Sequence, residues 1–126
     1  MEPLMLCIHM PRERAMRLAF AAMSQGVRAR IVEPAQEGQT LAALCGLQPL
    51  APAAPRAQVG EEMLVLAFLE EAQLNRLLPA LRQDMPAVRL KAVLTPTNQQ
   101  WNCGQLYHEL RGEAEAMAAG RGGQGQ

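Results

Sequence analysis

Two almost unbroken apolar runs, Leu4 to Met10 and Met63 to Leu69, each open the same strand–helix–strand rhythm. A short continuous apolar run bounded by turn residues reads as a strand buried on both faces, so whatever fold forms must cover both sides of its sheet. After the first run, Pro11 suits a first helical turn. From Arg12 to Gln25 the apolar set Met16, Ala19, Phe20 and Met23 recurs at helical spacing, with Arg12, Glu13, Arg14 and Arg17 on the other side. Gly26 stands where a C-cap is expected, and Val27 to Val32 alternates apolar and charged residues like a strand exposed on one face. After the second run, Glu70 and Glu71 suit a helix N-terminus through the helix dipole. Leu74, Leu77, Leu78 and Leu81 mark one helical face, in which Pro79 predicts a kink or an early end. Val88 to Thr95 alternates again. The chain is an internal duplication.

Residues 34–60 break this rhythm with four prolines and three glycines. A short helix is expected over Thr40 to Leu44, ended by Gly46, and Gln48 to Gly60 reads as a mobile connector. In the last helix Asn102 is the N-cap, with Gln105 three positions on in a capping-box arrangement. Its apolar stripe is Cys103, Leu106, Tyr107, Leu110, Ala114 and Met117. The Gly-rich tail, 120–126, is expected to be disordered. The reading is one α/β domain over 1–119: a first βαβ unit at 4–33, a linker with a short helix at 34–60, and a second βαβ unit plus C-terminal helix at 61–119.

Two four-stranded topologies fit that order. A parallel sheet in order 2-1-3-4 centres the two apolar strands, and so does a ferredoxin-like α+β sandwich in order 4-1-3-2. Coverage favours the parallel sheet. Right-handed crossovers put the first and last helices on one face and the linker and second helices on the other, whereas the ferredoxin-like form leaves one face thinly covered.

Composition excludes more than it selects. Twelve acidic residues balance twelve basic ones, so there is no basic field for nucleic acid and no polybasic membrane patch. Cys7, Cys45 and Cys103 are odd in number and widely spaced, and only His9 and His108 add imidazoles, which fits neither a disulfide framework nor a zinc site. Met1-Glu2-Pro3 lacks the basic start of a signal peptide, and no apolar run approaches the roughly 20 residues of a membrane span. The compartment expected is the cytoplasm, and no cofactor or metal is called for.

In an open parallel sheet, ligands sit beyond the carboxyl ends of the strands. That edge is expected to carry His9 after the first strand, Glu70 after the third, and Thr95, Thr97, Asn98 and Trp101 after the fourth. The last group offers hydroxyls, a carboxamide and an apolar anchor without a charge, which suits a polar ligand or a partner peptide. The same Thr-Pro-Thr-Asn run also suits a turn held by side-chain-to-backbone hydrogen bonds. No catalytic set emerges. Cys103 and His108 point away from each other on a helix, no Gly-rich phosphate loop follows either apolar strand, and no acidic cluster closes the first strand.

The segment Leu90-Lys91-Ala92-Val93-Leu94-Thr95-Pro96-Thr97-Asn98, trailed by Trp101, Leu106 and Glu109-Leu110, resembles the bacterial domain of unknown function 3783 family. With Met63 to Leu66, Phe68 and the Leu74 to Leu81 stripe, the resemblance covers roughly residues 62–111. It also extends to the front half, through the Leu44-Cys45-Gly46-Leu47 linker. It implies a compact cytoplasmic α/β domain and assigns no chemistry. Relatives tend to start the helix after the third strand with Gly-Phe-Ser, where this chain has Ala67-Phe68-Leu69-Glu70. The expected role is a non-enzymatic binding or regulatory module that takes a protein partner, a small ligand or a second copy in a homodimer. The alternative is an enzyme or metal-dependent domain using His9, Glu70 or Glu71 at the same edge.

Overall fold

The computed structural model describes residues 1–124, with side chains described through 118. Its elements are β1 (Leu4–Ile8), α1 (Arg12–Ser24), β2 (Arg28–Val32), a 3-10 turn (Pro34–Gln36), α2 (Leu41–Leu44), β3 (Met63–Ala67), α3 (Glu71–Leu81), β4 (Leu90–Val93) and α4 (Cys103–Gln124). The strands form one sheet in the expected order β2-β1-β3-β4, not the ferredoxin-like order. Within each unit the strands are parallel, as β1 with β2 and β3 with β4. The central pair corrects the all-parallel expectation: β1 and β3 are antiparallel, with Leu4 opposite Ala67 and Ile8 opposite Met63.

The connector accounts for the reversal. It leaves β2 and returns to β3 at the same end of the sheet, so the chain never crosses back as a parallel β3 would require. Its regular structure is limited to the 3-10 turn and α2, and two contacts help hold the rest. The Gln39 carboxamide donates to the Ala51 carbonyl at 2.7 Å and accepts from its N–H at 2.8 Å, in the manner of a strand neighbour. Gly38 lies so close to the Pro55 carbonyl that a Cβ would run into it.

The reversal also redistributes the helices. A right-handed crossover fixes the helix face by strand direction and by the side to which the next strand is added. The two units step outward in opposite senses, so running them in opposite directions puts α1 and α3 on one face. α2 and α4 take the other, which corrects the expected pairing of the first helix with the last. Alternation then sorts the strands. Met5, Cys7, Leu64 and Leu66 pack with Ala15, Leu18, Ala22, Leu77 and Leu81. Leu6, Ile8, Met63 and Val65 pack with Leu41, Leu44, Cys103 and Leu106.

Several local expectations appear as written. Gly26 and Gly46 take φ +77° and +83° after α1 and α2, where a side chain would be strained. Pro79 stands inside α3, which ends two residues later. The backbone of α4 runs to Gln124, into the stretch expected to lack structure, because each added residue needs only one more helical bond once the packed part is formed. Residues 125 and 126 of that tail lie outside the described residues. No described helix is long and apolar enough to cross a membrane.

One helix is turned against its pattern. α1 buries Ala15, Leu18 and Ala22, while Met16, Phe20 and Met23 point outward at 56%, 75% and 65% exposure. Arg14, expected on the solvent side, is 8% exposed. Its guanidinium donates to both oxygens of Glu62 at 2.8 and 2.7 Å, to Asp84 at 2.7 Å, and to the Pro86 carbonyl. Arg17 joins from the exposed side, 2.6 Å from Asp84. Three small or medium residues let the helix lie close to the sheet, and the acids waiting at the α1–α3 seam fix its rotation.

Truncating Arg14 leaves two part-buried carboxylates facing each other, so Arg14→Met is expected to lower the unfolding free energy by about 3 kcal/mol in urea titration. A loss under about 1 kcal/mol would reduce the network to a surface ion pair. Arg17, and then Arg14, hold the Asp84 carboxyl below the ordinary aspartate value. A depressed carboxylate stabilises the fold above its unfolded-state pKa and loses that contribution as pH falls through its folded value. The stability gap between wild type and Asp84→Asn is therefore expected to be constant near neutrality and to close below about pH 4.

Candidate functional site

The Thr95–Trp101 segment forms a tight turn in which the Thr95 and Asn98 side chains serve the local backbone. The Asn98 carboxamide accepts from the Thr95 N–H at 2.9 Å and donates to the Val93 carbonyl at 3.0 Å, and the Thr95 hydroxyl accepts from the Asn98 N–H at 3.1 Å. Asn98 is buried, while Pro96 and Thr97 are exposed. The turn also caps α2. The Leu41 and Ala42 N–H groups donate to the carbonyls of Trp101 and Gln99, each at 2.8 Å, and the Ala43 N–H donates to the Thr40 hydroxyl at 3.1 Å. Unpaired N–H groups at a helix start need such acceptors. Trp101 lies half-buried against the α2–α4 core. Asn102 and Gln105 then exchange reciprocal 2.9 Å bonds, the capping box expected from their spacing.

The antiparallel seam separates residues that a parallel sheet would gather. Glu70 and the Thr95–Trp101 turn follow the carboxyl ends of β3 and β4, where β1 and β2 begin. His9 follows β1 at the opposite end, so the common edge expected for His9, Glu70 and Thr95 does not exist. Glu70 is exposed, and its side chain does not cap α3.

At the His9 end, a different set converges. His9 takes φ +58°, a left-handed conformation that histidine tolerates better than most residues. Its Nδ1 lies 3.1 Å from an oxygen of Glu37, whose side chain is buried. A carboxylate only accepts, so Nδ1 carries the hydrogen, and in the neutral ring Nε2 is left as an acceptor. Glu37 is positioned by the 3-10 turn after β2, and its carbonyl accepts from the Cys103 N–H at 3.0 Å, which ties it to the start of α4. α4 brings Tyr107, His108 and Arg111 to the same place. The rings of Tyr107 and His108 are 5.8 Å apart, and the Arg111 guanidinium sits 5.9 Å from the Tyr107 ring centre. With the 57–60 backbone these groups line a cleft of about 450 Å³. Gly60 keeps it open: a Cβ there would stand 2.6 Å from the Tyr107 hydroxyl.

Sequence spacing marks Tyr107 and Arg111 as helical neighbours, but nothing in a Pro/Gly-rich linker announces that Glu37 is buried beneath His9. The backbone strain at His9 carries no chemical meaning of its own. Phe68 takes φ +65° at the equivalent point after β3, so the left-handed residue belongs to the strand–helix turn of both units. The thiols offer no nucleophile, since burial pushes Cys7 and Cys103 up to about 12. Among the described residues no three His, Cys, Asp or Glu side chains gather as metal ligands. A second cleft of about 410 Å³ lies by Arg28, Arg30 and Phe68, but Arg28 is paired with Glu2 and Arg30 with the Leu44 carbonyl.

Asn98→Ala removes two hydrogen bonds made by a buried side chain and is expected to cost about 1–3 kcal/mol in denaturant unfolding. Thr97→Ala, at an exposed position of the same turn, is expected to stay within about 0.5 kcal/mol of wild type. Equal effects would overturn the division between a structural Asn98 and a free Thr97.

Residues 62–117, from just before β3 into α4, match the model of the family described as Domain of unknown function (DUF3783). No curated protein and no solved structure matches the chain. The match takes in the second βαβ unit and most of its C-terminal helix, the part that carries the Lys91–Asn98 run and Trp101.

Proposed function

We propose that this chain is a non-enzymatic binding module whose ligand is a small polar molecule held in the His9–His108 cleft. The observation that carries this reading is convergence. The two histidines of the chain, 99 positions apart, meet a buried carboxylate, a phenol and a guanidinium in one open cavity. Such a gathering of polar groups in a concave site is the usual mark of a ligand site. Glu37 fixes the imidazole of His9 and leaves Nε2 to accept a hydrogen bond, while Arg111 suits a carboxylate or phosphate oxygen. A ligand with one anionic group and one donor fits both. The Glu37–His9 pair has the form of an oriented general base. The cleft brings it no serine, threonine or cysteine to activate, which favours binding over catalysis.

Three free, buried cysteines suit a reducing compartment, and the cytoplasm is the location we infer. In this reading the Thr95–Trp101 turn contributes rigidity, through α2 and the start of α4, and its exposed Thr97 remains available to a partner.

The histidine ring resonances test this directly. With inorganic phosphate and malonate as probes, both His9 and His108 are expected to shift together and saturate in the millimolar range. Arg111→Ala is expected to abolish the response without changing the melting temperature. Probes that move neither ring, or that move His108 alone, would refute the site.

A further inference from the structure

We propose that the outward face of α1 is a self-association surface that takes a second copy of this chain. It rests on observations independent of the cleft.

α1 turns its large apolar residues outward and its small ones inward, so Phe20, one of two phenylalanines in the chain, stands 75% exposed. Turning out Met16, Phe20 and Met23 leaves apolar area in water that a covered face would bury. The stripe lies on the flank away from α3, because the α3 side is occupied by Arg14 and Arg17 with Asp84 and by Gln73 reaching the Gln25 carbonyl. That flank overlooks β2, an edge strand with no neighbour on its outer side among the described residues. Ala29 and Ile31 of β2 face α1 and are only partly buried. The apolar surface therefore continues from the helix to the sheet edge.

The pattern fits itself. Met16 precedes Phe20 by four residues and Met23 follows it by three. An antiparallel crossing of two α1 helices on a twofold axis puts Phe20 against Phe20 and each Met16 near the other copy's Met23, the reciprocal pairing of an isologous interface. The helix dipoles then oppose each other favourably. A chain of zero net charge meets no long-range repulsion from its own copy. Taking 150–250 Å² for a large side chain and the exposed fraction of each, the two stripes bury roughly 600–1,000 Å², below the 1,200–2,000 Å² of a standard interface. The β2 flank has to contribute, and the dimer belongs to the weak, concentration-dependent class.

Sedimentation velocity of the full chain over a concentration series provides the test. The mass is expected to rise from 13.7 kDa towards twice that value. Phe20→Glu is expected to weaken association by about tenfold or more while leaving the melting temperature of the dilute monomer unchanged. Met16→Glu and Met23→Lys are each expected to weaken it, and the double variant Met16→Glu/Met23→Lys to restore it, because the crossing sets the new acid against the new base. A chain monomeric at every concentration overturns the proposal, whatever other protein binds this face. So does a dimer indifferent to Phe20→Glu. The phosphate and malonate response of His9 and His108 is expected to persist in Phe20→Glu, so either reading can fail without the other.

Discussion

The antiparallel pairing of β1 with β3 is the constraint from which the rest of this structure follows. Ten residues buried or nearly so, five from each strand, meet along that seam and are covered on both faces. Once the two units run in opposite directions, ordinary right-handed crossovers place α1 and α3 together and leave the other face to α2 and α4. The same reversal puts the turns after β1 and β3 at opposite ends. It therefore decides which side chains can share a site. His9 is denied Glu70 and the Thr95–Trp101 turn and is given Glu37, Tyr107, His108 and Arg111 instead.

The Arg14 network secures the arrangement at the outer face of the seam. One guanidinium reaches Glu62 before β3, Asp84 after α3 and the Pro86 carbonyl, and so ties α1 to both ends of the second βαβ crossover. Fixing Arg14 inward fixes the rotation of α1. With the helix rotated, Ala15 and Ala22 face the sheet and Phe20 faces out. An electrostatic contact thus overrides the larger apolar stripe of the same helix, at the cost of an exposed hydrophobic surface.

Much of this was legible in the chain itself, and the failures share a cause. The duplicated rhythm, the central place of the two apolar strands, the Asn102 cap and the Leu77 and Leu81 face of α3 all rest on local spacing. Periodicity reports local spacing directly. The direction of β3 depends on where a long, weakly patterned connector returns, and periodicity does not record that. The rotation of α1 was ambiguous because Ala15, Leu18 and Ala22 repeat at the same interval as Met16, Phe20 and Met23, and only the distant Glu62 and Asp84 decide between them. The site was half legible. His9 stood out at a strand end, but its partners lie 28 and about a hundred positions away, in segments brought near only by the fold. Asn98 stood out as well, and its bonds close on Thr95 and Val93 within the turn.

The family match covers β3, α3, β4 and most of α4, which is one unit and the wrapping helix of the duplicated pair. Cut from its neighbour, that segment would present β3 with one backbone edge bare and every residue apolar. Such an edge cannot stay open in water. In this chain the first unit is tethered against it by the connector, so a contact that separate molecules would have to make by collision is made within one molecule at high effective concentration. Residues 1–61 are thus a built-in partner, an intramolecular subunit that occupies the most adhesive surface of the domain before any other chain can reach it.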